Sequence, residues 1–282
     1  MTTNPLTLMA VHAHPDDESI GTGGIMAKYA LEGVRTVLVT CTQGELGEVQ
    51  DPTYVPPRPG IGITEIRKAE MADALKILKI SHYINLSYRD SGMAGTLGNQ
   101  DPQAFCQTDV ETAAKRLAHI IRIEKPHVIV TYDENGIYGH PDHIMAHRIT
   151  QRAFTVAGNS SAPLPDSPPA WQPQKLYYLA IPMERIRKYR NSEGEEKDRS
   201  TSSAIIGTPE NQITTSIDVT SVLDIKFDAI FAHRSQIAAD HLFRKLSQDQ
   251  RVKMFGREYF VCIKGGRPSN LENEQDLFEG LR

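Results

Sequence analysis

The sequence predicts an α/β fold of the Rossmann-like, doubly wound class, with a mainly parallel sheet and helices on both of its faces. In the first 160 residues, short apolar runs rich in β-branched residues alternate with amphipathic stretches of helical period. Continuous apolar runs are typical of strands that are covered on both faces. Strands that alternate with helices require right-handed crossovers, which produce a parallel sheet whose ligands bind outside the carboxyl ends of the strands.

The pattern assigns four strands and three helices to this part of the chain. The predicted strands are Leu6–Val11, Thr36–Thr40, Tyr83–Leu86 and Val128–Tyr132. The predicted helices are Ile20–Leu31, Glu65–Leu78 and Val110–Ile123. Gly33 follows the first helix and Pro126 follows the third, and both residue types commonly end helices.

A stretch rich in proline and serine, residues 160–173, follows this block and indicates a boundary. We expect a catalytic core over residues 1–158 and a smaller C-terminal α+β part over 159–282 that completes the fold and the substrate pocket within one integrated domain. Its predicted strands are Lys175–Pro182 and Glu258–Lys264, and its predicted helices are Val219–His233 and Phe243–Phe255. The mixed-sign charge run from Arg185 to Ser203 is typical of a solvated loop, with a substrate lid as the alternative.

Composition excludes several classes of function. The 282 residues contain 31 Lys and Arg against 35 Asp and Glu, a net charge of −4, so the chain lacks the basic surface that a nucleic-acid partner requires. The N-terminus lacks the features of a signal peptide, and no apolar run approaches the roughly 20 residues of a membrane helix. Three scattered cysteines provide neither a disulfide framework nor a thiolate metal site. We expect a soluble cytoplasmic protein without membrane insertion, and a homo-oligomer stays open.

The first chemically informative segment is residues 12–18, with the sequence His-Ala-His-Pro-Asp-Asp-Glu, between the first strand and the first helix. Two imidazoles and three carboxylates meet there at the carboxyl end of a strand. Imidazole nitrogen and carboxylate oxygen are ligands that suit Zn²⁺. Helix capping by Asp16 or Asp17 would explain one acid but not all five groups. The segment therefore predicts a metal site or a catalytic site.

The second segment is residues 138–143, Tyr-Gly-His-Pro-Asp-His, after the fourth strand. Pro141 favours the first turn of a helix. His140 and His143 then share one helix face at a spacing of three, but His143 and His147 also share a face at a spacing of four. Spacing alone does not choose between the two pairs. Because the first and fourth strands are neighbours in a sheet of order 3-2-1-4-5, both segments are expected to line one crevice.

These two segments resemble the paired signatures of the LmbE-like, or PIG-L, family of zinc-dependent N-deacetylases, in residues 13–18 and 140–143. Residues 40–45, 89–96 and 131–133 are similar to segments of the mycothiol-pathway members of that family. The likeness covers residues 6–158, and the paired motifs are far more specific than a single short pattern.

The resemblance implies one divalent metal per chain, Zn²⁺ or alternatively Fe²⁺ or another ion, with three ligands: His14, Asp17 and His143. It implies four catalytic residues: Asp16 as general base, His140 as the group that stabilises the oxyanion or assists the departing amine, Tyr138 as the group that polarises the carbonyl, and Asp142 as a hydrogen-bond partner that orients His140. It also places four residues at contacts with the substrate: Ser19, Glu48, Arg67 and Asp90. For Arg67, an exposed helix arginine is the alternative interpretation.

The implied activity is removal of the N-acetyl group from an N-acetylglucosamine-type conjugate, with acetate and a free amine as products and a small amino sugar conjugate as partner. The alternative within the family is an amidase that cleaves thiol-sugar conjugates, since residues 232–236 and 258–260 look like that branch while residues 89–96 look like the deacetylase. A non-catalytic metal-binding or carbohydrate-binding protein would not need Asp16 beside the ligands.

A dinucleotide-binding protein is the remaining alternative, because Gly21, Gly23 and Gly24 follow the first strand. The G-x-G-x-x-G pattern of dinucleotide-binding loops is incomplete, since it would need glycine at the position of Met26. The acids of residues 16–18 would also repel a pyrophosphate. The sequence therefore favours the metal-dependent hydrolase.

Overall fold

A computed structural model describes residues 5–166, 168–192, 205–266 and 273–282 of the chain. The described strands are β1 (Thr7–His12), β2 (Arg35–Thr42), β3 (His82–Tyr88), β4 (Val128–Thr131), β5 (Lys175–Ala180), β6 (Thr215–Asp218) and β7 (Arg257–Lys264). They form one sheet of order β3-β2-β1-β4-β5-β7-β6. The first five run parallel, and β7 runs antiparallel to both β5 and β6. The predicted α/β class and the neighbouring positions of β1 and β4 are confirmed.

The described helices are α1 (Gly23–Leu31), α2 (Ile63–Ile77), α3 (Val110–Glu124), α4 (Gly136–Gly139), α5 (Pro141–Gly158), α6 (Met183–Ser192), α7 (Leu223–Ala232), α8 (Leu242–Lys245) and α9 (Gln248–Phe255). In one group α3 packs against α5, and in another α7 packs against α1 and α2. Within the described ranges, none of the helices combines the length and the apolar character needed to cross a membrane.

Four elements differ from the sequence-based expectations. The helix expected over Phe243–Phe255 is divided into α8 and α9, because Leu246 between them has an extended backbone with a ψ of 130°. A π-helical turn, Glu18–Thr22, precedes α1, which therefore begins later than expected. The charge run begins as helix α6 rather than as a loop, because Ile186 is buried and anchors the segment; its remainder from residue 193 to 203 lies outside the described residues. Strand β6 was not predicted, since four residues with the sequence Thr-Ser-Ile-Asp carry too short a pattern.

The central strand β1 provides the rigid frame of the molecule. All six of its residues are buried, and it is hydrogen-bonded to β2 on one side and to β4 on the other. Leu8, Met9, Ala10 and Val11 have no exposed surface. Residues that directly follow β1 and β4 are consequently attached to the best-packed part of the fold.

The N-terminus of α1 is occupied by a side chain of β7. The two carboxylate oxygens of Glu258 accept hydrogen bonds from the N–H groups of Gly24 and Ile25, both at 2.8 Å, and the same carboxylate pairs with Lys226. A Cβ at Gly24 would lie 2.7 Å from Glu258 Oε1, so glycine permits this approach. Because Glu258 fills the position that a pyrophosphate takes in dinucleotide-binding folds, the structure also argues against that alternative.

The buried pair of Lys226 and Glu258 provides a test of the packing. Replacing Glu258 with Gln leaves the Lys226 charge buried without a counter-ion and is expected to lower the free energy of unfolding by about 3–5 kcal/mol. The double variant Lys226→Met/Glu258→Gln removes both charges and is expected to lose less. Urea denaturation followed by circular dichroism measures both. A double variant less stable than the single variant would contradict the buried-charge explanation.

Candidate metal centre

The crevice at the carboxyl ends of β1 and β4 contains three of the histidines singled out in the sequence. His14 follows β1, whereas His140 caps α5 and His143 lies in its first turn. The ring centroid of His14 lies 4.6 Å from that of His140 and 5.3 Å from that of His143. All three side chains are buried. The expected convergence of the two segments is what the structure shows.

Asp17 lies between two imidazole nitrogens. Its Oδ2 lies 3.3 Å from His14 Nδ1, and its Oδ1 lies 3.3 Å from His143 Nε2. His143 Nδ1 lies 3.2 Å from the carbonyl oxygen of Gly136. Since a carbonyl only accepts, Nδ1 carries a proton, and Nε2 is the ring nitrogen on the side of Asp17.

His14 lies next to the other oxygen of Asp17. Its Nε2 lies 3.2 Å from Asp142 Oδ2, so Nε2 donates to that carboxylate, and Nδ1 is the ring nitrogen beside Asp17. Burial opposes the charge of His14, but hydrogen bonds to Asp142 and Asp17 outweigh it and raise the pKa of His14, so the site attracts a positive charge. His143 Nε2 is correspondingly a buried atom without a hydrogen-bond partner in the described part of the chain. The donor set of His14, Asp17 and His143 therefore fits a divalent metal.

His140 has a different arrangement from the other two histidines. Its Nδ1 accepts a hydrogen bond from the backbone N–H of Asp142 at 3.1 Å, which makes it the cap of α5. Burial, together with the neighbouring charges of His14 and His143, lowers the pKa of His140 to about 3. The neutral ring then carries its proton on Nε2. His140 is thus suited to donate a hydrogen bond, although its ligand atom also lies within 4.8 Å of those of His14 and His143.

Asp142 contacts a different histidine from the one expected. Its carboxylate accepts from His14 Nε2, from the N–H of Ser91 at 3.0 Å and from the hydroxyl of Ser91. Only its backbone N–H reaches His140. The reason is geometric, since the first turn of α5 directs the Asp142 side chain back toward β1. Asp142 therefore orients His14, and Ser91, which the sequence analysis did not select, holds Asp142.

Asp16 stands beside this donor set in a strained conformation. Its φ of 107° lies in the left-handed region that residues with a side chain rarely adopt. Arg67 Nη2 contacts Asp16 Oδ2 at 3.1 Å and also donates to the carbonyl of Pro15. Burial raises the pKa of Asp16 to about 6, although the charge of Arg67 acts in the opposite direction. A carboxylate with this pKa is suited to accept and return a proton near neutral pH.

Tyr138 is carried by a second strained turn, α4. Ile137, the residue before it, has a φ of 67°, and its N–H donates to Asp133 Oδ1 at 2.7 Å. The Tyr138 ring lies edge-on to the His143 ring, with centroids 4.9 Å apart. Burial and the charge of Asp17 raise the pKa of the Tyr138 hydroxyl, which keeps it protonated as a donor.

The four residues expected to contact the substrate occupy unlike environments. Ser19 is fully buried and donates to Glu18, and Asp90 is 4% exposed with its two oxygens on the N–H groups of Leu46 and Gly92. Arg67 is 4% exposed, so it is not the exposed helix arginine of the alternative interpretation. Its second nitrogen donates to the carbonyl of Gly44 at 2.8 Å. Of the four, only Glu48 is exposed.

Two further histidines, His147 and His233, have hydrogen-bond partners outside the donor set. His147 donates from Nδ1 to the carbonyl of Tyr132 at 3.0 Å and packs against Tyr178, so it helps to anchor α5. His233 is fully buried and pairs with Glu18 at 2.7 Å. No short-range pattern indicates this pair, because 215 residues separate its members.

A model of the family GlcNAc-PI de-N-acetylase (PIG-L) matches residues 9–154, which include every residue of the donor set. A curated relative from Nocardiopsis dassonvillei, 1D-myo-inositol 2-acetamido-2-deoxy-alpha-D-glucopyranoside deacetylase, is 43% identical over 97% of this chain and 100% of the relative. The chain belongs to the PIG-L family. The relationship inferred from the two short motifs is confirmed, and it extends through the C-terminal part.

Solved structures show that the PIG-L fold carries more than one chemistry. The N,N'-diacetylchitobiose deacetylase of Pyrococcus horikoshii superposes with a TM-score of 0.62 at 19% identity, over 92% of this chain and 84% of that one. The 4-carboxy-2-hydroxymuconate hydratase of Pseudomonas putida KT2440 superposes with a TM-score of 0.61 at 18% identity, over 94% of this chain and 99% of that one. The fold alone therefore does not determine the reaction.

Measuring the bound metal tests which histidine of α5 is a ligand. His143→Ala is expected to weaken metal binding by more than the roughly 10–100-fold typical of a lost partner of a ligand, because it removes a donor atom itself. His147→Ala serves as the matched control, since both histidines are buried on the same helix. Elemental analysis after dialysis measures the bound metal. Stoichiometric metal in the His143 variant would show that the donor set is wrong.

The contact of Asp142 with His14 leads to a second test. Asp142→Ala removes the acceptor that orients His14, and we expect about 10–100-fold weaker metal binding. If Asp142 instead acted on His140, metal affinity would be unchanged and only turnover would fall. Competition for Zn²⁺ with a chromogenic chelator separates the two results.

Proposed function

We propose that this protein is a metal-dependent hydrolase that removes the acetyl group from an acetamido sugar conjugate. The observation that carries the proposal is the placement of Asp17 between ring nitrogens of His14 and His143, with Asp16 beside it. The name of the relative from Nocardiopsis dassonvillei, a deacetylase of an acetamido-glucopyranoside, supports the same reaction.

We infer that the metal is Zn²⁺, one per chain, bound by His14, Asp17 and His143. Nitrogen and carboxylate donors suit Zn²⁺, although Fe²⁺ and other divalent ions accept the same donors. When bound, such an ion polarises a carbonyl oxygen and lowers the pKa of water. Asp142 fixes His14, and the carbonyl of Gly136 fixes His143, so that both rings present the correct nitrogen.

The remaining residues of the site provide proton transfer and hydrogen-bond donors. Asp16, held by Arg67, accepts the proton of the attacking water and returns it to the departing amine. The Nε2–H of His140 and the hydroxyl of Tyr138 are donors for the oxygen that becomes negatively charged when water adds to the acetamide carbon. Stabilising that charge at the transition state is commonly the largest catalytic contribution.

The substrate is proposed to be an N-acetylglucosamine-type conjugate, with Glu48 at the rim as its contact in the exposed loop. Ser19, Arg67 and Asp90 act from buried positions by shaping the loops that border the site. The three cysteines, Cys41, Cys106 and Cys262, are all free, which suits a reducing cytoplasm as the place of action.

Acetate release is the direct test of the reaction. The purified protein is incubated with N-acetylglucosamine glycosides of inositol and of simple alcohols, and with thiol-sugar conjugates that carry larger acyl groups. We expect acetate and free amine from the first group, loss of activity with a chelator and recovery with Zn²⁺. Cleavage of the thiol conjugates alone would identify the amidase instead, and activity indifferent to chelators would refute the metal-dependent reaction.

The role of Asp16 leads to a separate expectation. Asp16→Asn keeps the size of the side chain but cannot accept the proton, so kcat is expected to fall by about 10²–10⁴-fold with the metal retained. Metal analysis and acetate release on the same preparation provide the comparison. An Asn variant with normal turnover would remove Asp16 from the role of base.

A further inference from the structure

A buried pair of side chains lies next to the turn that carries Asp16. His233 Nε2 donates to Glu18 Oε1 at 2.7 Å, and neither side chain has any exposed surface. Burial by itself would lower the pKa of His233, but the charge of Glu18 outweighs it and raises that pKa. Neither residue belongs to the donor set or to the proton transfer proposed above. The pair therefore has a function that the reaction scheme does not explain.

Glu18 connects this pair to Asp16. Its other oxygen, Oε2, accepts the backbone N–H of Asp16 at 2.9 Å, while Ser19 donates to Oε1 at 2.6 Å. One oxygen of Glu18 is thus used for Asp16, and the other is held by His233 and Ser19. Because Asp16 has a φ of 107°, its conformation persists only where neighbouring groups hold it.

His233 is itself anchored to the helix that holds Asp16 from the other side. Ser235, two residues along, donates from both its N–H and its hydroxyl to Glu70 of α2, each at 2.7 Å. Arg67, which contacts Asp16, precedes Glu70 by three residues and shares its helix face. The segment after α7 and the Asp16 turn are therefore both attached to α2.

We propose that His233 is a positioning residue for Asp16: through Glu18 it holds the Asp16 backbone in its left-handed conformation and thereby aims the carboxylate. The inference rests on the proposed role of Asp16 as base. His233 lies outside residues 9–154 that the family model matches. A residue of the C-terminal part thus completes the catalytic turn of the N-terminal part.

Two substitutions of His233 separate this role from simple packing. A Gln side chain can place its amide nitrogen near the position of Nε2, whereas that of Asn ends near Nδ1, a buried atom without a partner in the described residues. We expect His233→Asn to lower kcat about 10–100-fold with KM and bound metal unchanged. We expect His233→Gln to retain most of the wild-type kcat.

Glu274→Gln is the control for loss of stability, because Glu274 is equally buried and pairs with Lys175 at 2.8 Å in a different part of the sheet. It is expected to lower Tm with kcat unchanged. Normal kcat in His233→Asn, or equal losses in the Asn and Gln variants, would overturn the proposal. If the Asn variant does not fold, His233→Ala takes its place.

A crystal structure of the Asn variant gives a readout that does not depend on activity. We expect the hydrogen bond from Asp16 to Glu18 to be lost and φ of Asp16 to become negative, with both features retained in the Gln variant. An unchanged Asp16 in the Asn variant would refute the positioning role. If the wild-type protein releases no acetate from any conjugate, the proposed function fails, and these two structures still decide whether His233 positions Asp16.

Discussion

The structure of the site depends on one electrostatic constraint. Two imidazole rings and a carboxylate meet in a buried crevice, and a positive charge, either a proton or a metal ion, makes this arrangement favourable. Hydrogen bonds prevent each of these three side chains from rotating away. The carbonyl of Gly136 fixes the tautomer of His143, Asp142 fixes that of His14, and the backbone N–H of His14 donates to Asp17 Oδ2 at 2.8 Å. These hydrogen bonds hold the nitrogen and oxygen atoms of the site in place.

Strain is concentrated beside this constraint. Asp16 and Ile137 have positive φ angles, and each lies in a turn that follows a fully buried strand of the central pair, β1 or β4. Such conformations cost about 1–3 kcal/mol each and survive where rigid surroundings impose them. The close packing of the two strands supplies that rigidity. The packing of the core offsets the strain in both turns. As a result, the side chains of Asp16 and Tyr138 point into one crevice.

The acidic residues near the crevice carry the same charge, but each has different partners and therefore a different function. Glu18 pairs with His233, Asp142 with His14 and Ser91, and Glu258 with Lys226 and the N-terminus of α1. Each carboxylate has specific partners, as buried charges require. Asp17 instead lies between ring nitrogens of His14 and His143, and Asp16 contacts Arg67. Because a hydratase superposes on the same fold, the fold does not determine the reaction, and the 43% identity to a curated deacetylase is the finding that supports deacetylation.

Local pattern determined the α/β class, the neighbouring positions of β1 and β4, and the meeting of the two motifs, because strand periodicity and crossover handedness are properties of short segments. Tertiary structure alone decided that Asp142 supports His14, that Arg67 is buried against Asp16 and that His233 reaches Glu18. Strand β6 is too short to show a pattern of its own and is held by its pairing with β7, and the start of α6 is held by the burial of Ile186. A sequence records which groups are available, but the partner of a buried side chain depends on contacts between segments that are distant along the chain, 51 residues for Arg67 and Asp16 and 215 for His233 and Glu18.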